Sequence, residues 1–461
     1  VNLLEVSSSH TRIQFDTANS KGVKGGFAVG GYNTGSKAAP VNLMSLTQKN
    51  YLIGENAGWL VDSLGGKRNL FIGYESGYNT TTGSFNSFIG YRSGYAHTVG
   101  NYNSFVGYRA GLNADAFYNT FFGYEAGLNN TSGKNNIAIG YQAGYGGEEG
   151  ITGLSNIFIG LNSGFSNTTG SSNIFMGTLS GTNNSTGQNN IFIGNGSGSR
   201  TENGNYNTYI GFRSGEYSGN GITNDPSYNT FLGYQTGRNN VSGAYNTYIG
   251  YNAGYSGANA SGSNNVMIGD NTGAANISGY ANVFLGNSAG HNNTTGFRNV
   301  FIGTSSGYSN TTGQYNAFLG YLSGENNTTG TYNSFFGYRT GRNNTEGDWN
   351  AFYGFQAGYN NTLGENNSFF GPNSGYYNTT GNNNSFLGYY AGFRNTTGNN
   401  NTFIGYMAGY SGASASGIDN VFIGVEAGYS NTSGSNNIGI GNLAGRNNTT
   451  GRYNVYLGTN A

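Results

Sequence analysis

The side chains that most often carry chemistry are sparse and scattered in this chain. Its 461 residues include three histidines, His10, His97 and His291, no cysteine and 19 acids. No histidine has a cysteine or a recurring acid close by in sequence, so the ligand spacing of a zinc site is missing. No Gly-Lys-Ser/Thr loop offers its amides to a phosphate, and no repeated position is regularly Asp, as a calcium-binding β-roll requires. Glu148, Glu149 and Asp225 lie in polar segments, where a carboxylate is either solvated or free to meet a stray cation. The expectation is a protein without cofactor or metal that is not an enzyme. Denser chemistry comes from Asn-x-Ser/Thr triplets, at Asn79, Asn130, Asn167, Asn240, Asn310, Asn378, Asn395 and Asn431 among others. They are acceptors for glycans pointing out of a polar corner, or else turns in which Asn and Thr serve the backbone.

Composition limits what can position such groups. Glycine accounts for 84 residues, charged residues for 8% and aromatic ones for 15%, with 38 Tyr and 29 Phe, and the formal net charge is zero. A disordered chain is poor in aromatics, and collagen needs a Gly-X-Y triplet that is absent. Without a basic patch there is no electrostatic footprint for nucleic acid or an anionic membrane, and no run of 18 apolar residues crosses a bilayer as a helix. Glycine with evenly spaced aromatics points to a repeat.

The ruler is the glycine closing each Phe-Ile-Gly-like triplet, from Gly54 and Gly73 to Gly441 and Gly458. There are 24, and 17 of the 23 intervals are 17 residues. Four residues before each stands an asparagine, and four residues after it, in every unit that continues, a second glycine preceded by Ala, Ser or Thr. Interior glycines cost a helix about 1 kcal/mol each, whereas short Phe/Ile/Tyr/Val runs between Gly and Asn read as strands. The sequence therefore predicts an all-β parallel β-solenoid of 24 coils. Each coil comprises a strand, a glycine bend, a second short strand and a polar corner. Steps of about 4.8 Å give a rod on the order of 110 Å. Residues 50–461 form the array, and residues 1–49, which break the period, form a β-rich capping or connecting segment. The lengthened coils carry their extra residues at one corner, at residues 145–155, 216–228, 255–264 and 410–419, as a partner edge or as tolerated loops.

Two columns follow from stacking identical coils. The asparagine before each strand, as at Asn86, Asn103, Asn299, Asn316 and Asn401, is expected to form a structural amide ladder. The strand itself carries an aromatic stripe, including Phe88, Phe105, Phe301, Phe318 and Phe403, next to an aliphatic one, including Ile72, Ile89, Ile159, Ile302 and Ile404. Neighbours on a strand face opposite ways, so one stripe fills the coil and the other needs cover. The sequence reading places the Phe stripe on the second face, between identical chains of a homotrimer.

The strings Asn86-Ser-Phe-Ile-Gly90, Asn136-Ile-Ala-Ile-Gly140 and Asn437-Ile-Gly-Ile-Gly441 resemble the head repeats of trimeric autotransporter adhesins. Those repeats are shorter, their asparagine sits one residue further upstream and their middle position is small. The tandem units, and the block from Lys21 to Gly31, look more like bacterial surface and tail-fibre-like proteins. The resemblance implies side-by-side trimers and an extracellular or cell-surface fibre or adhesin stalk. Its rivals are a carbohydrate-binding surface along tyrosines such as Tyr74, Tyr91, Tyr108 and Tyr124, a phage tail-fibre shaft, or an ice-binding face. The expected partners are the chain itself, as trimer or filament, and glycans or a host surface. The start at Val1 and the last unit, which stops after its strand, suggest a piece of something longer.

Overall fold

A computed structural model describes residues 3–6, 11–14, 27–31, 41–62, 65–219, 226–257 and 259–461. It divides into two compact units, residues 1–196 and 197–461. In the first, β1 (Leu3–Val6) pairs antiparallel with β2 (Thr11–Gln14), and β3 (Phe27–Gly31) pairs antiparallel with β4 (Val41–Leu46), with a register shift at Val29/Gly30. Strand β4 also runs antiparallel to β5 (Asn50–Ile53), and with β6 (Asn69–Ile72) the pairing becomes parallel, Asn50 opposite Asn69. From there three-residue strands continue in parallel register to Ile191–Ile193. The second unit repeats the arrangement from Thr208–Ile210 to Val455–Leu457. The expected parallel β-solenoid with a 17-residue repeat is the observed fold, and no helix occurs among the described residues.

The interior of most coils is aromatic, with Ala138, Met267 and Gly439 in the inner position of three others. Phe88, Phe105, Phe301 and Phe318 are fully buried and Phe403 nearly so, each stacked on the ring of the next coil. Ring centroids lie 4.9 Å apart for Phe301–Phe318 and 4.7 Å for Phe318–Phe335. This corrects the sequence reading: the Phe stripe lies in the core of the coils and is not available to a neighbouring chain. The aliphatic stripe faces outwards, with Leu285 42% and Leu387 53% exposed. Burying a Phe is worth about 1.5–3 kcal/mol, so the larger side chain goes where a closed coil removes it fully from water.

Glycine makes so small a coil possible. Gly320, at the bend, has φ +141, and a Cβ there would lie 2.2 Å from the Gly337 carbonyl oxygen. Gly324, four residues on, has φ +57, and its Cβ would sit 2.5 Å from the Phe318 ring. Only glycine meets both conditions.

The expected second strand is not a strand. After the bend the chain makes successive turns, still hydrogen-bonded to the next coil: Gly307 N–H donates to Ser323 O at 2.9 Å, Ser309 N–H to Glu325 O at 2.8 Å and Thr311 N–H to Thr328 O at 2.9 Å. Two non-glycine residues per coil enter the left-handed region, for instance Ser305 (φ 52) and Tyr315 (φ 56). Left-handed conformation costs such residues roughly 1–2 kcal/mol, and the coil-to-coil hydrogen bonds offset it.

Candidate functional site

The asparagines that open each strand are buried clamps. Asn299 N–H donates to Asn282 Oδ1 at 2.9 Å, and Asn299 Nδ2 donates to Gly313 O at 2.8 Å. Its Oδ1 accepts the N–H of Asn316 at 2.9 Å, and Asn316 Nδ2 reaches Gly330 O at 2.8 Å. Asn86 does the same with Asn69 and Gly100, Asn103 with Asn86 and the Ala116 carbonyl, and Asn401 with Asn384 and Gly417. The column runs through the interior, but its bonds are mainly side chain to backbone. Each amide ties two coils and leaves neither its own oxygen nor the strand-opening N–H unpaired, as burial demands.

Amide-to-amide bonds occur in this column too, as Asn103 Nδ2 to Asn86 Oδ1 and Asn420 Nδ2 to Asn401 Oδ1, both at 3.1 Å, so the expected ladder is present in part, and a second amide ladder lies at the Asn-x-x-Gly corner. Asn310 Nδ2 donates to Asn293 Oδ1 at 2.7 Å, Asn327 to Asn310 at 2.8 Å, Asn344 to Asn327 at 2.8 Å, Asn361 to Asn344 at 2.7 Å and Asn378 to Asn361 at 2.7 Å. Asn395 joins at 3.3 Å, and each Nδ2 also donates to the glycine carbonyl three residues on. Asn130, Asn167, Asn240, Asn310, Asn378, Asn395 and Asn431 are all buried. This corrects their reading as glycan acceptors pointing outwards and favours the alternative, turns that serve the backbone, because a buried amide is out of reach in the folded chain. Asn79 differs: it is half-buried, and Thr80 takes the inward position of its coil. The signal for this column was present in the sequence as Asn-x-x-Gly recurring with the same 17-residue period.

The ladder has breaks. In three lengthened coils the buried residues of this corner are Ile151, Ala260 and Ala415. The longest run, Asn276 to Asn395, lies between the last two. Beside Ile151, neither amide atom of Asn167 has a hydrogen-bond partner.

His97 faces the same corner. It is fully buried, with Nδ1 3.2 Å from Thr80 Oγ1, Nε2 3.4 Å from Asn103 Nδ2 and its ring edge-on to Phe88. Burial lowers its pKa to about 4, against the opposing pull of the Asp115 carboxylate. Burial disfavours the charge of Asp115, yet hydrogen bonds from Thr98 and Val99 hold its carboxyl below the usual range. His291 is half-buried and bonded to Asn292, while His10 and Asp225 lie outside the described residues. Among the described residues no cluster of His, Cys, Asp or Glu could hold a metal. Thus His97 and Asp115 are engaged in holding coils together, while Glu148 and Glu149 are exposed.

Outward-facing features are columns as well. The residue after the bend glycine stacks coil on coil, as in Tyr91–Tyr108 at 5.1 Å and Tyr108–Tyr124 at 5.0 Å. The residue before the strand asparagine forms a second exposed column, for example Tyr228–Tyr245 at 4.9 Å and Tyr332–Trp349 at 4.0 Å. Comparison with known proteins matches no family model, no curated protein and no solved structure.

Proposed function

We propose that the chain is a non-catalytic structural component of an extracellular fibre or adhesin stalk, assembled as a homo-oligomer, a trimer, through the outer face of its strands. The observation that carries this reading is the outward stripe one residue before each bend glycine. It is Ile, Leu, Val, Met, Phe or Tyr in every coil, without one charge or amide. Its exposed members include Phe122, Leu232, Leu285, Phe370, Leu387 and Ile440. The other outward position of the strand is also uncharged throughout, as at Ile137, Ile157, Val283 and Ile438. Fifteen strands of the second unit at about 4.8 Å per step, each roughly 10 Å long, present about 700 Å². That approaches the ~800 Å² per partner of a standard interface. A narrow apolar strip of constant spacing is best complemented by the same strip on another copy, and zero net charge sets no repulsion against it.

The tyrosine columns support a sugar-binding role less well. Sugars pack on ring faces, and here each face inside a column is already covered by the next ring about 5 Å away. Sedimentation of the purified chain tests the proposal. An oligomer is expected, and Leu285→Lys with Leu319→Lys should convert it to folded monomer. A monodisperse monomer from the unaltered chain refutes it.

A further inference from the structure

The longest tyrosine column runs Tyr74, Tyr91, Tyr108, Tyr124, Tyr141. Successive ring centroids are 5.3, 5.1, 5.0 and 4.9 Å apart, with interplanar angles of 10°, 7°, 8° and 5°. Tyr91, Tyr108, Tyr124 and Tyr141 are 39–48% exposed. The spacing follows from the fold, because parallel strands repeat at 4.7–4.9 Å, which is also a stacking distance for aromatic rings. The result is a set of phenols with accessible edges, held in pairs from consecutive coils. The chain has no cysteine with which to staple those coils.

We propose that this column is a site of oxidative tyrosine coupling, in which neighbouring rings are joined as dityrosine under a haem peroxidase and hydrogen peroxide. Each of two phenols gives up one electron and its hydroxyl proton, leaving two phenoxyl radicals with spin on the ortho carbons. A carbon–carbon bond forms between one ortho carbon of each ring. The two ortho hydrogens leave as protons while the phenol oxygens are reprotonated, which restores both aromatic rings. One hydrogen peroxide takes up the two electrons and two protons and becomes two waters. Because the rings are stacked before oxidation, coupling is unimolecular and gains the advantage of a held pair over a diffusional encounter. The product links residues 16 or 17 positions apart and ties one coil covalently to the next. The inference stands on the column geometry and is independent of the fibre reading.

The test is peroxidase and hydrogen peroxide on the dilute full-length chain, followed by digestion and mass spectrometry. Expected products are linked peptides that have lost two hydrogens and join Tyr91 to Tyr108, Tyr108 to Tyr124 and Tyr124 to Tyr141, at a rate independent of protein concentration. Tyr108→Phe should abolish the first two links and leave the third. Phenylalanine is accommodated here, since Phe355 stacks on Tyr338 at 5.3 Å at the equivalent position. Unfolding in urea before oxidation should lower the yield of these links at least tenfold. No dityrosine, equal yields from the unfolded chain, links between tyrosines of different columns, or coupling only between chains would each overturn the proposal.

Discussion

Replacing Asn344 with Ala tests whether the asparagines of the Asn-x-x-Gly column hold the coil corner. Asn344 is fully buried in the middle of the longest amide run. Its Nδ2 donates to Asn327 Oδ1 at 2.8 Å and to Gly347 O at 3.0 Å, and its Oδ1 accepts from Asn361 Nδ2 at 2.7 Å. Gly347 O keeps a second donor, Asn333 Nδ2 at 2.8 Å. Truncation therefore leaves two buried groups without a partner: Asn327 Oδ1 and one N–H of Asn361. At about 1–3 kcal/mol for each orphaned group, the expected loss is about 2–6 kcal/mol. Asn344→Asp keeps the shape but faces the same acceptors with a carboxylate. Facing the Asn327 Oδ1 and Gly347 carbonyl acceptors should favour the protonated acid, so the variant's stability is expected to be present below the unfolded carboxyl pKa of about 3.9 and lost as pH rises above it. The Asp variant should thus approach the parent on acidification, whereas the Ala variant should not. A long stack of coils need not unfold as one unit, so the readout is local opening by hydrogen exchange in peptides covering residues 327–361. A loss below about 0.5 kcal/mol for Asn344→Ala would refute the assigned role.

Phe318→Asp should cost several kcal/mol and release exchange protection across neighbouring coils, because it puts an unpaired charge between the rings of Phe301 and Phe335. Thr396→Ala should cost only about 0.5 kcal/mol, since Ala415 O, which loses the Thr396 hydroxyl at 3.0 Å, keeps the Thr396 backbone N–H at 2.9 Å; equal melting shifts for the two variants would contradict this register. His97 has a folded pKa of about 4, below its unfolded value of 6.5. Its contribution is fully present above pH 6.5 and is lost as pH falls through about 4, an amount of roughly 3 kcal/mol. His97→Asn should remove that slope from local exchange around residues 80–116 while leaving the acid sensitivity due to Asp115. An unchanged slope between pH 6.5 and 4 would count against a buried neutral imidazole.

The parts of this structure that were legible in the sequence are those the backbone repeats without exception. Asn299 and Gly303 recur because every strand opening needs a clamp and every bend needs a backbone that can touch the next coil. The turn segment was not legible, since its left-handed residues have no characteristic type. Leu322, Met407 and Tyr390 all adopt φ between 54 and 57 there. Coil-to-coil bonds such as Leu322 N–H to Thr304 O at 3.0 Å hold them, so tertiary contact overrides local preference. The inward placing of the sequon asparagines was not legible because Asn-Thr-Thr-Gly is also ordinary surface turn chemistry. Only stacking one copy on the next turns that corner inwards.

Which stripe of the strand lies inside is a separate question, because alternation with period two fixes parity and not direction. Phe318 and Leu319 are both apolar, and either could have filled the coil. The deciding signal lies six residues downstream. Each inner residue is followed at that distance by a glycine, and a Cβ on Gly324 would strike the Phe318 ring. Where the inner residue is itself small the glycine remains: at Gly144, six after Ala138, the nearest atom is a ring carbon of Phe158 in the next coil, and at Gly445, six after Gly439, it is one of Tyr456. The glycine therefore answers to the inner column as a whole, in its own coil or the next. An aliphatic inner residue meets that glycine too, as Met267 does at Gly273 and Leu52 at Gly58, so the spacing marks which parity is inward whatever the side chain. The invariant spacing thus assigns the rings to the interior and the Ile and Leu side chains to the outside, which moves any association between copies from the Phe row to the face bearing Leu285, Ile302 and Leu319.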